Sequence, residues 1–525
     1  MDKGSRTSPA ISPWLQIAAP SVADVIFLAL LCTLVFSSLS IRLLGDAGIG
    51  WHVRTGQIII ASHQVPHVDP FSSTMAGKTW FAWEWLYDVA VGEFDSAMGL
   101  NGVVWFNALV IAFVFAGLFQ WMVWRGVNVL AAVPLTLIAI GASMIHFLAR
   151  PHVVSWLFTL AWFAILDTSE RRCFRGSPRR NRWLWMLPLS MLVWVNMHGG
   201  FVVGFVLLGI FWLGACWTWW RTEQGRIEDA VLKIAAGARA RELFWIGVVC
   251  AAASLVNPYG WKLHRHVIAY LSNRFLMNHI QEFQSPNFHG WAERCFLVLL
   301  LITAAAQALR GRRLRTSQLA VILFSIYSGL YAARNIPVAS VLLVMIVGPL
   351  IAEPVICSGP SSGFFGRMSA VQSSLRGHIW VVIAIVFTLS VAAHRGRLGS
   401  AEIMDAHFDS TRMPVAAVDY LDQHDLNGPV LSTDFWGGYL IYRLYPRKQV
   451  VVDDRHDLYG ERLFKSYLKM YRGEQDWQEF LNEHKTGCLL FPRDAAITNL
   501  LLENPEWQPV YKDEVALIFV RSAVR

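Results

Sequence analysis

The feature that most constrains this chain is a succession of apolar runs separated by short polar turns. The first begins near Ala23 and continues for about 20 residues, enough to cross a bilayer as a helix. A helix satisfies its own backbone hydrogen bonds, which lipid cannot do for it. Hydropathy predicts about eleven spans. They fall near 23–43, 103–123, 128–148, 152–167, 183–197, 200–220, 243–257, 295–309, 318–333, 336–352 and 379–394. Hydrophobic residues make up 55% of the chain and charged residues 16%, against about 25% charged in soluble domains. The chain therefore reads as an α-helical polytopic membrane protein. Its start, "MDKGSRTSPAISPWLQ", is polar and no A-x-A cleavage site follows the first run, so that run reads as an uncleaved first helix.

The formal charge of +8 does not point to nucleic acid, because the arginines lie in short loops between apolar runs. "RRCFRGSPRRNR" (171–182), "RTEQGRIEDAVLKIAAGARARE" (221–242) and "RGRRLR" (310–315) all fall on the cytoplasmic side if the amino terminus does. The loop 44–102 then faces outward with Arg54 and Lys78 as its fixed cations, and the tail after about 394 faces outward too. Residues 1–22 read as a cytoplasmic tail, 23–396 as the transmembrane domain and 397–525 as an extracytoplasmic α/β domain. Cysteine adds little: there is no CxxC pair, and the tail holds only Cys488, which argues against a disulfide framework or a cysteine-built metal site.

The outward turns carry a different chemistry from the inner ones. "LARPH" brings Arg150 and His152, "VNMHGG" brings Asn196 and His198, and "AARNIP" brings Arg334 and Asn335. "LVNPYGWKLHRH" adds Lys262, and "IQEFQSPNFHGW" belongs to the same loop, 258–294. Any one Arg or His at a helix end is equally well explained by snorkelling to a headgroup. HGG and NPYG also suit simple turns. Five separate segments presenting Arg, His and Asn on one face suit an anion such as phosphate held at the membrane boundary.

The first outer loop is the richest. "GDAGIGWH" places Asp46 and His52 just past the first span. "WHVRTGQIIIAS" and "TWFAWEWLYDVAVGEF" predict two helices lying along the interface, joined through the Pro-punctuated turn "VPHVDPFSST". Asp46, Asp69 and Glu84 are the acidic candidates. Asp69, before Pro70, reads first as a turn residue. Glu84, between Trp83 and Trp85, has a raised pKa if buried, or is a helix-surface charge if not. His63 and His67 are four residues apart but run into the Pro-punctuated turn rather than lying on one helix with Asp69, so a divalent metal is possible in principle but unsupported.

This arrangement resembles the GT-C superfamily of polytopic glycosyltransferases. In detail, "GWHVRTGQIII", "VPHVDPFSST", "EWL", "RPHVVSWLF", "NMHGGFVVG", "LVNPYGW", "RNIP", "DFWGGYLIYRL" and "VVVDDRHDLYG" resemble a bacterial branch of GT-C-like membrane proteins. The resemblance covers the whole chain in architecture. It places Asp46 where the family has the acidic residue of its first loop and matches 258–294 to the loop after span seven. One departure is that Ala47 follows Asp46, so the family's adjacent acidic pair is absent. The resemblance implies transfer of a sugar from a polyprenyl-phosphate-linked donor to a glycan, lipid or protein acceptor, outside a bacterial cytoplasmic membrane and with inversion. Asp46 is then the base, with His52 as its neighbour or alternative and Glu84 as a further catalytic acid/base candidate. Arg150, His152, His198, Lys262 and Arg334 are the expected phosphate ligands. No cofactor is implied. A transporter of lipid-linked saccharides and a non-catalytic membrane scaffold remain the rival readings.

In the tail, "MPVAAVDYLDQH", "FWGGYLIYRL", "GERLFKSYLKMYRG" and "DWQEFLNEH" predict helices. "GPVLST", "QVVVDDR" and "GCLLFP" predict strands, and "WQPVYKDEVALIFVR" a hairpin. Helices alternating with short strands predict a small α/β domain. Asp453 and Arg455 are expected to cap and pair locally. No GxGxxG or P-loop spacing occurs.

Overall fold

The computed structural model describes residues 12–175, 181–223, 226–310, 314–355, 371–372, 374–375, 377–424, 426 and 428–522. The expected inner-loop arginines Arg179, Arg180, Arg312 and Arg313, and most of the amino-terminal tail, lie outside the described residues.

A helix occurs at every expected span, and the chain is a multi-pass membrane protein. Among the described residues seven are long and apolar enough to cross a bilayer: 16–36, 100–124, 129–146, 152–174, 201–221, 291–309 and 333–351. The other expected spans are shorter or mixed. Met186–Met197, Thr316–Tyr331 and Ile379–Ala393 are short apolar helices, and Ile227–Ser254 is apolar only in its second half. A count of eleven therefore does not follow from length and composition. The first span also ends earlier than expected, at Phe36, and Leu39–Leu43 is a separate turn of helix. Ser37 and Ser38 separate the two, with the Ser37 hydroxyl donating back to the Thr33 carbonyl and accepting from the Leu39 N–H.

The two interfacial helices of the first loop are Ile49–Ser62 and Trp85–Met98. They cross at glycines. A Cβ on Gly56 would lie 1.8 Å from the Asp88 carbonyl oxygen, and one on Gly92 would lie 2.8 Å from the Gln57 nitrogen. This close approach lets side chains on the two helices meet directly.

Among the described residues the tail contains six short strands, two of them in a small hairpin: β1 (Arg397–Leu398) and β2 (Ala401–Glu402). The domain's own sheet is β3 (Val430–Ser432), β4 (Cys488–Pro492), β5 (Trp507–Lys512) and β6 (Ala516–Arg521), in the order β3-β4-β6-β5. β3 and β4 are parallel, and the remaining pairs are antiparallel. Helices Val415–Gln423, Asp434–Leu444, His456–Tyr471 and Trp477–Glu483 follow the expected pattern. The expected strand "QVVVDDR" is not one. Only Val450 bridges, to Val430 on one side and Ser72 of the first loop on the other. Both of its own backbone groups go to the first loop, its N–H donating to the Phe71 carbonyl at 3.1 Å and its carbonyl accepting from the Ser73 N–H at 2.9 Å, while the neighbouring Gln449 carbonyl and Val451 N–H pair with Val430 at 2.9 and 3.0 Å.

That bridge is the first of several ties between tail and first loop. The second is a glycine contact: a Cβ on Gly438 would lie 2.3 Å from the Ala47 oxygen, and one on Gly50 would lie 2.2 Å from the Gly438 oxygen. The third is a buried ion cluster. Arg455 donates to Asp69 at 2.7 Å and to both oxygens of Asp453 at 2.6 and 2.8 Å, under the rings of Trp80 and Phe71. Asp453 and Arg455 thus pair with each other, as expected, and also clamp the first loop. Asp69 does form the turn before Pro70, accepting the Phe71 and Ser72 N–H groups.

Candidate active site

Five segments far apart in sequence meet at one end of the helix bundle. They form a small cavity of about 40 Å³, lined by Asp46, Glu84, Leu148, Arg150, Pro151, His152, His198, Glu282 and Arg334. At the opposite end Arg125, Arg171 and Arg315 surround Asp167, and Arg239 and Arg315 reach Glu170.

Asp46 sits at the first helix's exit. Its Oδ1 accepts the Gly48 N–H at 2.8 Å and Arg150 Nη1 at 2.9 Å, while its Oδ2 has no hydrogen-bond partner among the described residues. Arg150 is held there because the neighbouring Ala149 N–H donates to the Leu43 carbonyl at 2.7 Å. The same Arg150 nitrogen donates to Asp454 Oδ2 of the tail at 3.0 Å. Burial works against the Arg150 charge, but Asp46, Asp454 and Glu282 hold its pKa above the ordinary arginine value.

Arg334 forms an ion pair with Glu282, Nη1 lying 3.1 Å from Oε1, and lies over the ring of Phe283, 4.4 Å from its centroid. Burial alone would raise the Glu282 pKa. Arg334, with His146, Arg150 and His152, brings it down to about 2.

Glu84 occupies the cavity wall between two histidines. Trp85 is held by Asn196, whose Oδ1 accepts its indole N–H at 2.7 Å, and Trp83 packs on His266. Burial is the largest influence on Glu84, raising its pKa to about 8 despite the nearby Arg150 and Arg334. It is therefore a protonated carboxyl at neutral pH. His198 Nδ1 accepts from the Gly200 N–H at 3.0 Å and from Ser155 at 2.8 Å. The Ser155 oxygen itself accepts the Trp194 indole N–H, so its own proton points to His198. This leaves the His198 proton on Nε2, 3.7 Å from Glu84 Oε1. Burial, then Arg334, lowers the His198 pKa to about 3, so the ring is neutral.

On the other side His52 Nδ1 lies 2.6 Å from Asp88 Oδ1, and His52 Nε2 lies 3.8 Å from Glu84 Oε2. Burial dominates both partners, lowering the imidazole pKa well below its ordinary value and raising that of Asp88 well above. His52 Nε2 and Asp88 Oδ2 are buried without a hydrogen-bond partner. His52 is thus a neighbour of Glu84 rather than of the cavity itself.

Of the residues singled out from sequence, Asp46, Glu84, Arg150, His152, His198 and Arg334 line one cavity, and His52 stands behind it. His152 turns its Nε2 to the His146 carbonyl at 2.9 Å. Lys262 does not join them. It is exposed on the helix Trp261–Ser272, because the NPYG turn ends in Gly260 with φ +54° and directs that helix's buried face through Leu263 and Val267. Tyr259 is the residue of that motif which reaches the first loop, accepting the Ala82 N–H at 2.8 Å and donating to the Pro66 carbonyl at 3.0 Å. Sequence reasoning missed Glu282, Asp88 and Asp454 as site groups. Asp88 had a local signal, since it follows Glu84 by one helical turn. Glu282 and Asp454 had none beyond charge.

Among the described residues no group of three or more His, Cys, Asp or Glu side chains can hold a metal ion. Asp69 is committed to Arg455 and its own turn, and His67 packs on Tyr259.

No family model matches the chain, and no curated protein matches it in sequence. Solved structures do match its fold. One is the archaeal oligosaccharyltransferase AglB from Archaeoglobus fulgidus in complex with an inhibitory peptide and a dolichol-phosphate, at 9% identity and TM-score 0.52, over 90% of this chain and 69% of that one. A second is the A. fulgidus oligosaccharyltransferase tethered to an acceptor peptide containing the NVT sequon, at 11% identity and TM-score 0.52, over 98% and 74%. A third is ArnT from Cupriavidus metallidurans in the apo state, at 13% identity and TM-score 0.50, over 94% and 97%. The chain shares the fold of these oligosaccharyltransferase and ArnT structures.

Proposed function

We propose that this GT-C-fold protein is a glycosyltransferase that moves a sugar from a polyprenyl-phosphate-linked donor to an acceptor hydroxyl. The observation that carries this reading is the convergence of Arg150, Arg334, His198, Asp46 and Glu84 on one small cavity at a bundle end. Two guanidiniums and an imidazole N–H suit a phosphate, and a lipid phosphate is the kind of anion that sits at that depth. The dolichol-phosphate complex of AglB is a precedent for such a ligand in this fold.

In the reaction the acceptor oxygen bonds to the anomeric carbon as the bond from that carbon to the phosphate oxygen breaks. The electron pair leaves with the phosphate. Arg150, Arg334 and the His198 Nε2–H stabilise its charge, and the protonated Glu84 carboxyl donates a hydrogen bond to it. The acceptor's proton passes to the unpartnered Oδ2 of Asp46. Attack from the face opposite the phosphate inverts the anomeric centre. The cavity faces the outside of a bacterial cytoplasmic membrane, with the amino terminus inside and the tail domain outside, as the arginine-rich loops favour. A transporter would place its polar site near the bilayer midplane. Here the charged clusters stand at the two bundle ends, which favours the enzyme.

The test is transfer of labelled sugar from polyprenyl-phosphate donors in inverted and right-side-out membranes. Asp46→Asn and Arg150→Ala are expected to abolish transfer with expression and topology unchanged. Full transfer by both variants overturns the proposal.

A further inference from the structure

The groups paired around Arg150 and Arg334 carry more anion than cation before any ligand enters. Asp46, Glu282 and Asp454 supply three carboxylates, while Arg150 and Arg334 supply two guanidiniums. Two of those carboxylates use one nitrogen, Arg150 Nη1, at 2.9 and 3.0 Å. Asp454 comes from the tail domain, and the proposed chemistry does not use it. Its placement is nonetheless built. Trp51 Nε1 donates to its Oδ1 at 3.0 Å. Gly48 leaves the space it fills, since a Cβ there would lie 2.2 Å from Arg150 Nη1 and 2.3 Å from Asp454 Oδ2. Its side chain is 16% exposed, so water screens its charge little.

We propose that Asp454 is a placeholder for the donor phosphate: the tail carboxylate and a phosphate oxygen exchange on Arg150, which couples the tail domain to the filling of the donor site. This rests on the polyprenyl-phosphate reading of the cavity. Two carboxylate oxygens on one N–H group stand where phosphate oxygens bind an arginine. A phosphate cannot join both ionised carboxylates there without like charges meeting in a desolvated space. Asp454 gives way by taking a proton. The charged or titratable groups facing it are Arg150, Asp46, Asp453 and His456. Burial, opposed by Arg150 and reinforced by Asp46 and Asp453, raises its pKa to about 6, and an arriving phosphate raises it further. Glu84, near 8, stays protonated and Glu282, near 2, stays ionised between pH 6 and 7.5.

The experiment measures binding of polyprenyl monophosphate to the detergent-solubilised full chain from pH 5.5 to 7.5, for wild type and Asp454→Asn. One-proton linkage makes wild-type affinity fall, relative to the variant, by up to about tenfold per pH unit above about pH 6. The ratio of the two affinities cancels the ligand's own titration. Asp454→Asn is expected to bind more tightly at pH 7.5. Calorimetry of the wild type in two buffers of unlike ionisation enthalpy is expected to show uptake of a proton at pH 7, and it decides the matter if the variant does not fold. Equal pH dependence in both proteins, or no proton uptake, overturns the exchange and leaves the proposed function standing. Absence of polyprenyl phosphate binding at every pH overturns both.

Discussion

Replacing Glu84 by Gln isolates the cost of burying a carboxyl in the cavity wall. The folded-state pKa of Glu84 is about 8 against 4.5 for the free side chain, and burial is the main cause. Below pH 4.5 the group is protonated in both folded and unfolded chains, and the full stability is present. As pH rises from 4.5 to 8 the unfolded chain ionises while the folded one does not, so stability falls. Above 8 both are ionised and the loss is complete. Each unit of separation is worth about 1.4 kcal/mol, so the loss is about 3 kcal/mol at pH 7 and about 5 kcal/mol above pH 8. Glu84 is 9% exposed, so solvent screening removes little of this. Wild type is therefore expected to lose about 4 kcal/mol between pH 5 and 9 through this one group, a loss Glu84→Gln lacks. The assay is the thermal midpoint of both proteins in the same detergent across that range. The Glu84→Gln midpoint should exceed that of wild type by a margin that grows to pH 8 and then holds constant. Parallel curves would refute the reasoning, because they would mean that Glu84 ionises as readily in the fold as in water.

Other expectations follow from the same geometry. Gly48→Ala sets a methyl group against Arg150 and Asp454, so it should weaken polyprenyl phosphate binding at least tenfold while the Asp69–Arg455 clamp stays intact, as judged by unchanged proteolysis of the tail. Arg455→Met leaves Asp69 and Asp453 buried without their cation and should cost about 3–5 kcal/mol, visible as faster proteolytic release of the tail. Arg334→Gln removes a cation from the cavity but leaves Asp46 and Arg150 paired, so donor KM should rise more than kcat falls.

The bundle was legible because its signal is local: each span is a contiguous apolar run, and lipid requires each to be a helix. The same holds for the interfacial helices Ile49–Ser62 and Trp85–Met98 and for the tail's helices and hairpin. Arg and His in the outward turns could be assigned to one face, because loop parity along a multi-span chain places alternate turns together. That argument placed Arg150, His198 and Arg334 on a common end but equally placed Lys262 there, which points away. "QVVVDDR" has a strand's composition, yet Val450 gives both its backbone groups to the first loop and only its neighbours Gln449 and Val451 pair with Val430.

The sequence by itself determined the membrane class, the bundle and the face on which polar groups collect, since burial in lipid and helix periodicity act on neighbours in the chain. Only the tertiary structure decided how those groups are charged and paired. Asp454 meets Arg150 across 304 positions, Glu84 becomes a neutral acid because it is buried between two histidines, and Gly48 and Gly50 prove to be seats for the tail. Electrostatic energy depends on distance in space and on exclusion of water, and neither is written in the spacing of residues along the chain.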